Sequence, residues 1–176
     1  MIGIALLNEI VGGNKITDPS EVLTLLDKGI LKAFENSESE TNDGMDISLI
    51  TIDTKAETIE YSGAYRPLIM IRDNELFEYK ATKTSIGFKD VENKIFEKTT
   101  LKYQKSDCLY MYSDGYPDQF GGPKNKKFKS KTFKEMLIEG NSKSMNSQKE
   151  IISQRFNQWM GASEQVDDIL IMGIKF

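Results

Sequence analysis

The residues of this sequence best placed to do chemistry are Asp114 and the pair Asp167-Asp168. Cys108 to Tyr112 is an unbroken apolar and aromatic run. A run that short and continuous suits a strand buried on both faces. It stops at Asp114-Gly115, and Pro117 with Gly121-Gly122 bars a regular continuation. Taken alone, Asp-Gly is a turn dipeptide. Near the other end, Gln165-Val166-Asp167-Asp168 precedes the apolar run Ile169 to Ile174, which is the mirror arrangement. If the two strands are antiparallel neighbours, the end of the first lies beside the start of the second. Asp114 and Asp167-Asp168 then meet at one sheet edge, where carboxylates repel unless a cation neutralises them. Oxygen-only ligands select Mg²⁺ or Mn²⁺ rather than Zn²⁺. With both halves in view, a metal site is a better reading than a turn.

Composition removes other chemistries. The chain has 176 residues, enough for one domain with a real core, and a net charge of −4, which gives no general attraction for nucleic acid. It has no histidine, so Ser-His-Asp and Cys-His systems, zincin motifs and histidine acid–base catalysis are excluded. The one cysteine, Cys108, excludes a disulfide framework and a cysteine zinc site; it fits a reducing, cytoplasmic compartment and a place in the core. No apolar run reaches the length of a membrane-spanning helix, and no signal peptide is evident. If the chain is an enzyme, carboxylates, backbone and metal must carry its chemistry.

The elements that would position these residues follow from periodicity. Ile2 to Val11 carries a wide apolar stripe at helical spacing with no capping residue before it, and Gly12-Gly13 ends it. Asp18-Pro19 is a helix start, and the helix runs to about Phe34 with Val22, Leu25, Leu26, Ile30 and Phe34 on one face. Glu35 to Asp43 reads as an acidic surface loop. Strands are predicted at Met45–Ile52, Thr58–Ser62, Leu68–Arg72, Glu75–Tyr79 and Ile95–Leu101, with hairpin turns at 53–57 and Asp73-Asn74. Loops are predicted at Gly63 to Pro67 and Thr84 to Gly87. After Gly122 come Lys124, Lys126, Lys127, Lys129, Lys131 and Lys134, read either as a solvated loop or as a contact for a phosphorylated partner. Helices follow at about Lys131–Glu139 and Ser147–Met160, the second with Ile151, Ile152, Phe156 and Trp159 on one face. The sum is an α+β domain, an antiparallel meander flanked by helices.

Several motifs now stand in a familiar order: Tyr61-Ser62-Gly63-Ala64 with Pro67-Leu68, then Ser85-Ile86-Gly87. After them come Tyr112-Ser113-Asp114-Gly115 with Asp118-Gln119-Phe120-Gly121-Gly122, and Trp159 before Gln165-Val166-Asp167-Asp168. Over nearly the whole chain this resembles the SpoIIE/RsbU-type serine/threonine phosphatases, the bacterial branch of the metal-dependent protein phosphatase 2C-like (PPM) family. The resemblance implies a single domain over residues 1–176 with an antiparallel β-sandwich flanked by helices. It implies hydrolysis of phosphoserine or phosphothreonine on a regulatory partner protein in signalling. Two Mn²⁺ or Mg²⁺ ions would hold the attacking water. By this resemblance Asp114 and Asp167 are catalytic metal ligands, Asp118 touches an auxiliary ion, and Asp168 matches a less critical neighbour.

One departure matters. The family carries an earlier Asp-Gly motif on a strand before the opening helix, and Asp43-Gly44, the only other Asp-Gly here, precedes a strand instead. The expectation is therefore a chain that represents the C-terminal portion of the phosphatase domain, without its N-terminal strands and with impaired activity. The alternative is a non-catalytic interaction module that keeps the fold. The apolar stripe of the opening helix further predicts contact with a sensor domain or a second copy.

Overall fold

Asp18 starts the long helix as its chemistry dictates. Its Oδ1 accepts hydrogen bonds from the backbone N–H of Ser20 at 2.9 Å and of Glu21 at 3.1 Å. Pro19 takes the first helical position, where no N–H partner is needed. Helix α2 then runs Pro19–Phe34. The computed structural model describes residues 2–34, 44–88 and 94–176. The acidic stretch Glu35 to Asp43, and with it the aspartate of the second Asp-Gly, lies outside the described residues.

The chain forms two compact units, one of Met1–Leu68 with Tyr79–Tyr103, the other of Ile69–Glu78 with Gln104–Phe176. In the first unit, helix α1 (Ile2–Leu7) passes into a π-helical segment, Asn8–Gly13. The predicted helix thus runs on to the two glycines, but it widens after Leu7, whose own backbone stays right-handed helical. Val22, Leu23, Leu26 and Ile30 of α2 are buried with Ile10, Ala64, Ile86 and Phe96, and each of these side chains larger than alanine contributes about 1.5–3 kcal/mol. Strands β1 (Ile47–Asp53), β2 (Thr58–Ala64) and β5 (Thr99–Lys102) make an antiparallel sheet in the order β1-β2-β5. Gly63 and Ala64, expected in a loop, continue β2. The expected strand from Ile95 is confined to Thr99–Lys102, and Ile95 is exposed.

The second unit holds the four-stranded sheet. Strands β3 (Leu68–Arg72) and β4 (Glu75–Tyr79) join through Asp73-Asn74, both at positive φ (51° and 65°), the tight hairpin turn expected of that dipeptide. With β6 (Cys108–Tyr112) and β9 (Ile171–Lys175) the order is β4-β3-β6-β9. Helix α3 (Gly115–Asp118) is a single turn that holds Pro117, where a missing N–H costs nothing. A short hairpin, β7 (Phe120–Gly121) with β8 (Lys126–Lys127), follows it. Helix α4 spans Ser130–Gly140 and α5 spans Met145–Met160. Ser144 caps α5 by accepting from the Ser147 N–H, which sets the start two residues before the predicted one. The core of this unit gathers Ile69, Ile71, Cys108, Tyr110, Tyr116, Phe128, Phe133, Met136 and Leu137.

Candidate functional site

The site lies wholly in the second unit, where β6 and β9 end together. They pair antiparallel from Cys108↔Lys175 to Tyr112↔Ile171. Beyond the last pair the Ser113 N–H donates to the Leu170 carbonyl at 2.9 Å. The Ser113 hydroxyl donates to the Asp168 carbonyl at 2.8 Å and accepts from the Leu170 N–H at 2.9 Å. One side chain therefore ties together the two segments that carry the aspartates. Gly115 completes the closure. A Cβ on it would lie 2.4 Å from the Asp168 carbonyl oxygen and 3.2 Å from that of Asp167, so only glycine lets the backbones meet this closely.

Asp114 stands at the N-cap of α3, is partly buried, and does not cap the helix with its side chain. Asp167 and Asp168 are exposed. The Asp167 Oδ1 accepts from the Asp168 N–H at 2.7 Å, and its carbonyl accepts from Gln165 Nε2 at 2.8 Å. Asp118, at the far end of α3, is ion-paired with Lys127 at 2.9 Å. The structure thus brings the Asp114 turn against the Asp167-Asp168 backbone, and sets Asp118 one helical turn away beside a lysine. These donors are carboxylate and carbonyl oxygens, the set that suits a hard divalent cation. Among the described residues no group of three or more acidic or cysteine side chains is gathered for a metal ion.

Two positioning residues carried no signal in the sequence beyond membership of the motifs. Ser113 is one. Gln119, fully buried, is the other. Its Nε2 donates to the carbonyls of Glu164 (2.9 Å) and Phe120 (3.0 Å), and its Oε1 accepts from the Val166 N–H at 3.3 Å. Its own carbonyl accepts from Trp159 Nε1 at 3.0 Å and from the Phe128 N–H at 2.9 Å. Gln119 so fixes the approach to Asp167. Trp159, on the apolar face predicted for α5, packs against the core edge-on to Phe128 with ring centroids 5.3 Å apart. Tyr116 pins α3 to the core: its hydroxyl donates to the Ile152 carbonyl at 3.0 Å, and burial pushes its pKa up to about 12 against the opposing charge of Arg155. A cleft of about 640 Å³ between α5 and β9, lined by Tyr110, Met145, Gln148, Ile171 and Gly173 among others, includes none of the candidate aspartates.

Known proteins share this fold. The chain is similar to the SiaA-PP2C domain of Pseudomonas aeruginosa at 23% identity and a TM-score of 0.89, over 100% of this chain and 68% of that one. It is similar to the PP2C phosphatase domain, solved with a fragment of the regulatory domain, of the cell fate determinant SpoIIE from Bacillus subtilis. That likeness has 17% identity and a TM-score of 0.72, over 99% of this chain and 48% of that one. It is also similar to the PPM Ser-Thr phosphatase MsPP from Mycobacterium smegmatis, at 12% identity and a TM-score of 0.62, over 99% of this chain and 80% of that one. These likenesses establish the fold, α+β with antiparallel sheets and helices. No curated protein sequence matches the chain. The sequence model of the family described as Stage II sporulation protein E (SpoIIE) matches residues 5–176. A match of that extent, on this fold, makes the chain a member of the SpoIIE family, a PPM-type serine/threonine phosphatase domain.

Proposed function

We propose that this chain acts on phosphoserine or phosphothreonine of a regulatory partner protein, with Asp114 and Asp167 as ligands of Mn²⁺ or Mg²⁺. The observation that carries the reading is the contact of the Asp167-Asp168 backbone with Gly115, locked by the Ser113 hydroxyl. It puts two aspartates of the family's motifs at one sheet edge. A divalent ion bound there would supply charge to offset the phosphate and would acidify a bound water. Asp114 and Asp167 would hold it. Asp118 would serve an auxiliary ion only by giving up Lys127.

We further propose that the activity of this chain by itself is weak. Two carboxylates can retain one hydrated Mg²⁺, but clamping both the attacking and the leaving oxygen calls for two ions with a ligand between them. Among the described residues no third acidic group joins the pair. The same observation favours the second reading, an interaction module that keeps the fold without the chemistry. Hydrolysis of a phosphoserine peptide with excess Mn²⁺ separates the two. The phosphatase reading expects slow Mn²⁺-dependent turnover that Asp114→Asn abolishes. No turnover, or turnover indifferent to Asp114→Asn, removes that reading.

Ile2 and Ile4 of α1 and Val11 of the π-helical segment remain exposed, at 42%, 68% and 41%. Leu6 packs on Gly29 of α2 and Ile10 is buried, so among the described residues the other side of the opening stripe is the one used within the chain. We propose that the exposed side meets a second copy or a sensor domain. No helix among the described residues is long and apolar enough to cross a membrane.

A further inference from the structure

Residues 119–134 hold six lysines and no acidic residue, in a chain whose net charge is −4. Lys124, Lys126, Lys127, Lys129 and Lys131 are all exposed. Lys127 is paired with Asp118, and Lys131 reaches Glu135 at 3.9 Å. No side chain among the described residues pairs with Lys124, Lys126 or Lys129.

These lysines do not sit on a loose loop. They ride on the β7–β8 hairpin and the strap that leads from it into α4. Phe128, buried between Lys127 and Lys129, packs edge-on to both Tyr116 and Trp159. The Gly122 N–H donates to the Trp159 carbonyl at 2.8 Å, and the Lys129 N–H donates to the Pro117 carbonyl at 2.7 Å. A Cβ on Gly121 would lie 1.9 Å from the Trp159 carbonyl oxygen, so the ribbon is pressed directly onto α5. Lys129 itself has φ 77° and ψ 141°, backbone that glycine adopts freely and a lysine only under strain. Across the ribbon Lys126 faces Gly121 and Lys127 faces Phe120, so no acidic cross-strand partner offsets their charge. A cationic platform held this rigidly suits an anionic partner.

We infer that the β7–β8 hairpin is a docking platform for an acidic segment of the protein that carries the phosphorylated residue. This rests on the phosphatase reading for the identity of the partner, not for the existence of the surface. The hairpin leaves directly from α3, the turn opened by Asp114, and Lys127 touches Asp118 of that turn. Carboxylates laid along Lys124, Lys126 and Lys129 would steer the partner to this end of the unit and fix its register. Phe120, 38% exposed with the Lys127 ammonium 6.0 Å from its ring centroid, offers an apolar foothold beside the charges. The acidity of the rest of the chain weighs against nucleic acid as the occupant.

Fluorescence anisotropy on the full chain tests this, without divalent ions, so the result does not depend on hydrolysis. The probes are a short glutamate-rich phosphoserine peptide, its glutamine-substituted twin, duplex DNA and phosphatidylserine vesicles. The acidic peptide is expected to bind at least about tenfold tighter than its twin, and to weaken with added salt. Combined Lys124→Gln, Lys126→Gln and Lys129→Gly should lower its affinity by about tenfold. Lys129→Gly alone should raise Tm by roughly 2–4 °C as the strain is released. It should also weaken the peptide roughly two- to fivefold. Gain of stability with loss of binding distinguishes docking from damage to the fold. Equal affinity for both peptides, a triple variant that binds as before, or DNA or vesicles bound as tightly as the acidic peptide would overturn the proposal.

Discussion

Gly115→Ala adds a single carbon at the point where the Asp114 turn meets the Asp167-Asp168 backbone. The new Cβ would stand 2.4 Å from the Asp168 carbonyl oxygen and 2.9 Å from its carbon, about 1 Å inside ordinary van der Waals contact. The obstacle is backbone, so no side chain can swing aside. The start of β9 must retreat by about that 1 Å, at the expense of the two Ser113 hydroxyl bonds to Asp168 and Leu170. Overpacking of this kind costs about 1–3 kcal/mol. For a chain of this size that lowers Tm by roughly 2–4 °C for each kcal/mol. Gly12→Ala is the matched control. Nothing lies within 4 Å of its added Cβ, and in that helical segment alanine is favoured over glycine by about 0.5–1 kcal/mol. The same chemical change should therefore destabilise at 115 and stabilise at 12, as read by thermal unfolding. Mn²⁺ affinity, measured by calorimetry, should fall only for Gly115→Ala. Equal Tm shifts of one sign at both positions would refute the argument that backbone contact at Gly115 closes the site.

Ser113→Ala removes the hydroxyl that bridges the two strand ends and should cost about 1–2 kcal/mol in urea unfolding, with weaker Mn²⁺ binding; unchanged stability would mean that the strand pairing alone holds the site. Asp18 carries a pH dependence. The Lys98 ammonium, then the Ser20 hydroxyl, hold its carboxyl well below its ordinary value of 3.8. A pKa lowered by folding adds stability that is fully present above that ordinary value and is lost as pH falls below it towards the folded value. The side chain is about a third exposed, so the charge contributes no more than about 0.3–1 kcal/mol, and Asp18→Asn should be less stable at neutral pH yet equal to the parent in strong acid. Ile4→Glu should dissociate any self-association through α1 in analytical ultracentrifugation without lowering Tm; a parent that is already monomeric at high concentration would remove the case for a second copy.

Much of the fold is legible in the sequence because it is local. Asp18-Pro19 specifies a helix start through its own hydrogen bonds, and Asp73-Asn74 specifies a hairpin through backbone angles those residues tolerate. The Cys108 to Tyr112 run reads as a buried strand because five unbroken apolar residues leave few other options. The strands of the 120–127 hairpin are two residues each, too short to show a period, and tertiary contacts with Trp159 and Pro117 hold them. The π-helical turn after Leu7 and the early start of α5 escaped for related reasons, since one is a local widening and the other a single Ser144 cap. At the site, the aspartates announce themselves by type and flanking strands. Ser113 and Gln119, which hold the approach to them, act across 55 and 45 positions of chain, where no sequence spacing points.

The pairing of β6 with β9 has a consequence for the order of events during synthesis. The hydroxyl of Ser113 closes on a residue 55 positions later, and β9 is made after both α4 and α5. Contacts so distant along the chain form late, after the loop between them has been closed at entropic cost. While β9 is unmade, β6 is itself an open edge, a strand whose apolar length invites pairing with another nascent chain. A chain cut short within α5 therefore holds the residues of α1, α2 and the first sheet but lacks the site, and β6 is left as an adhesive border where the site would have been.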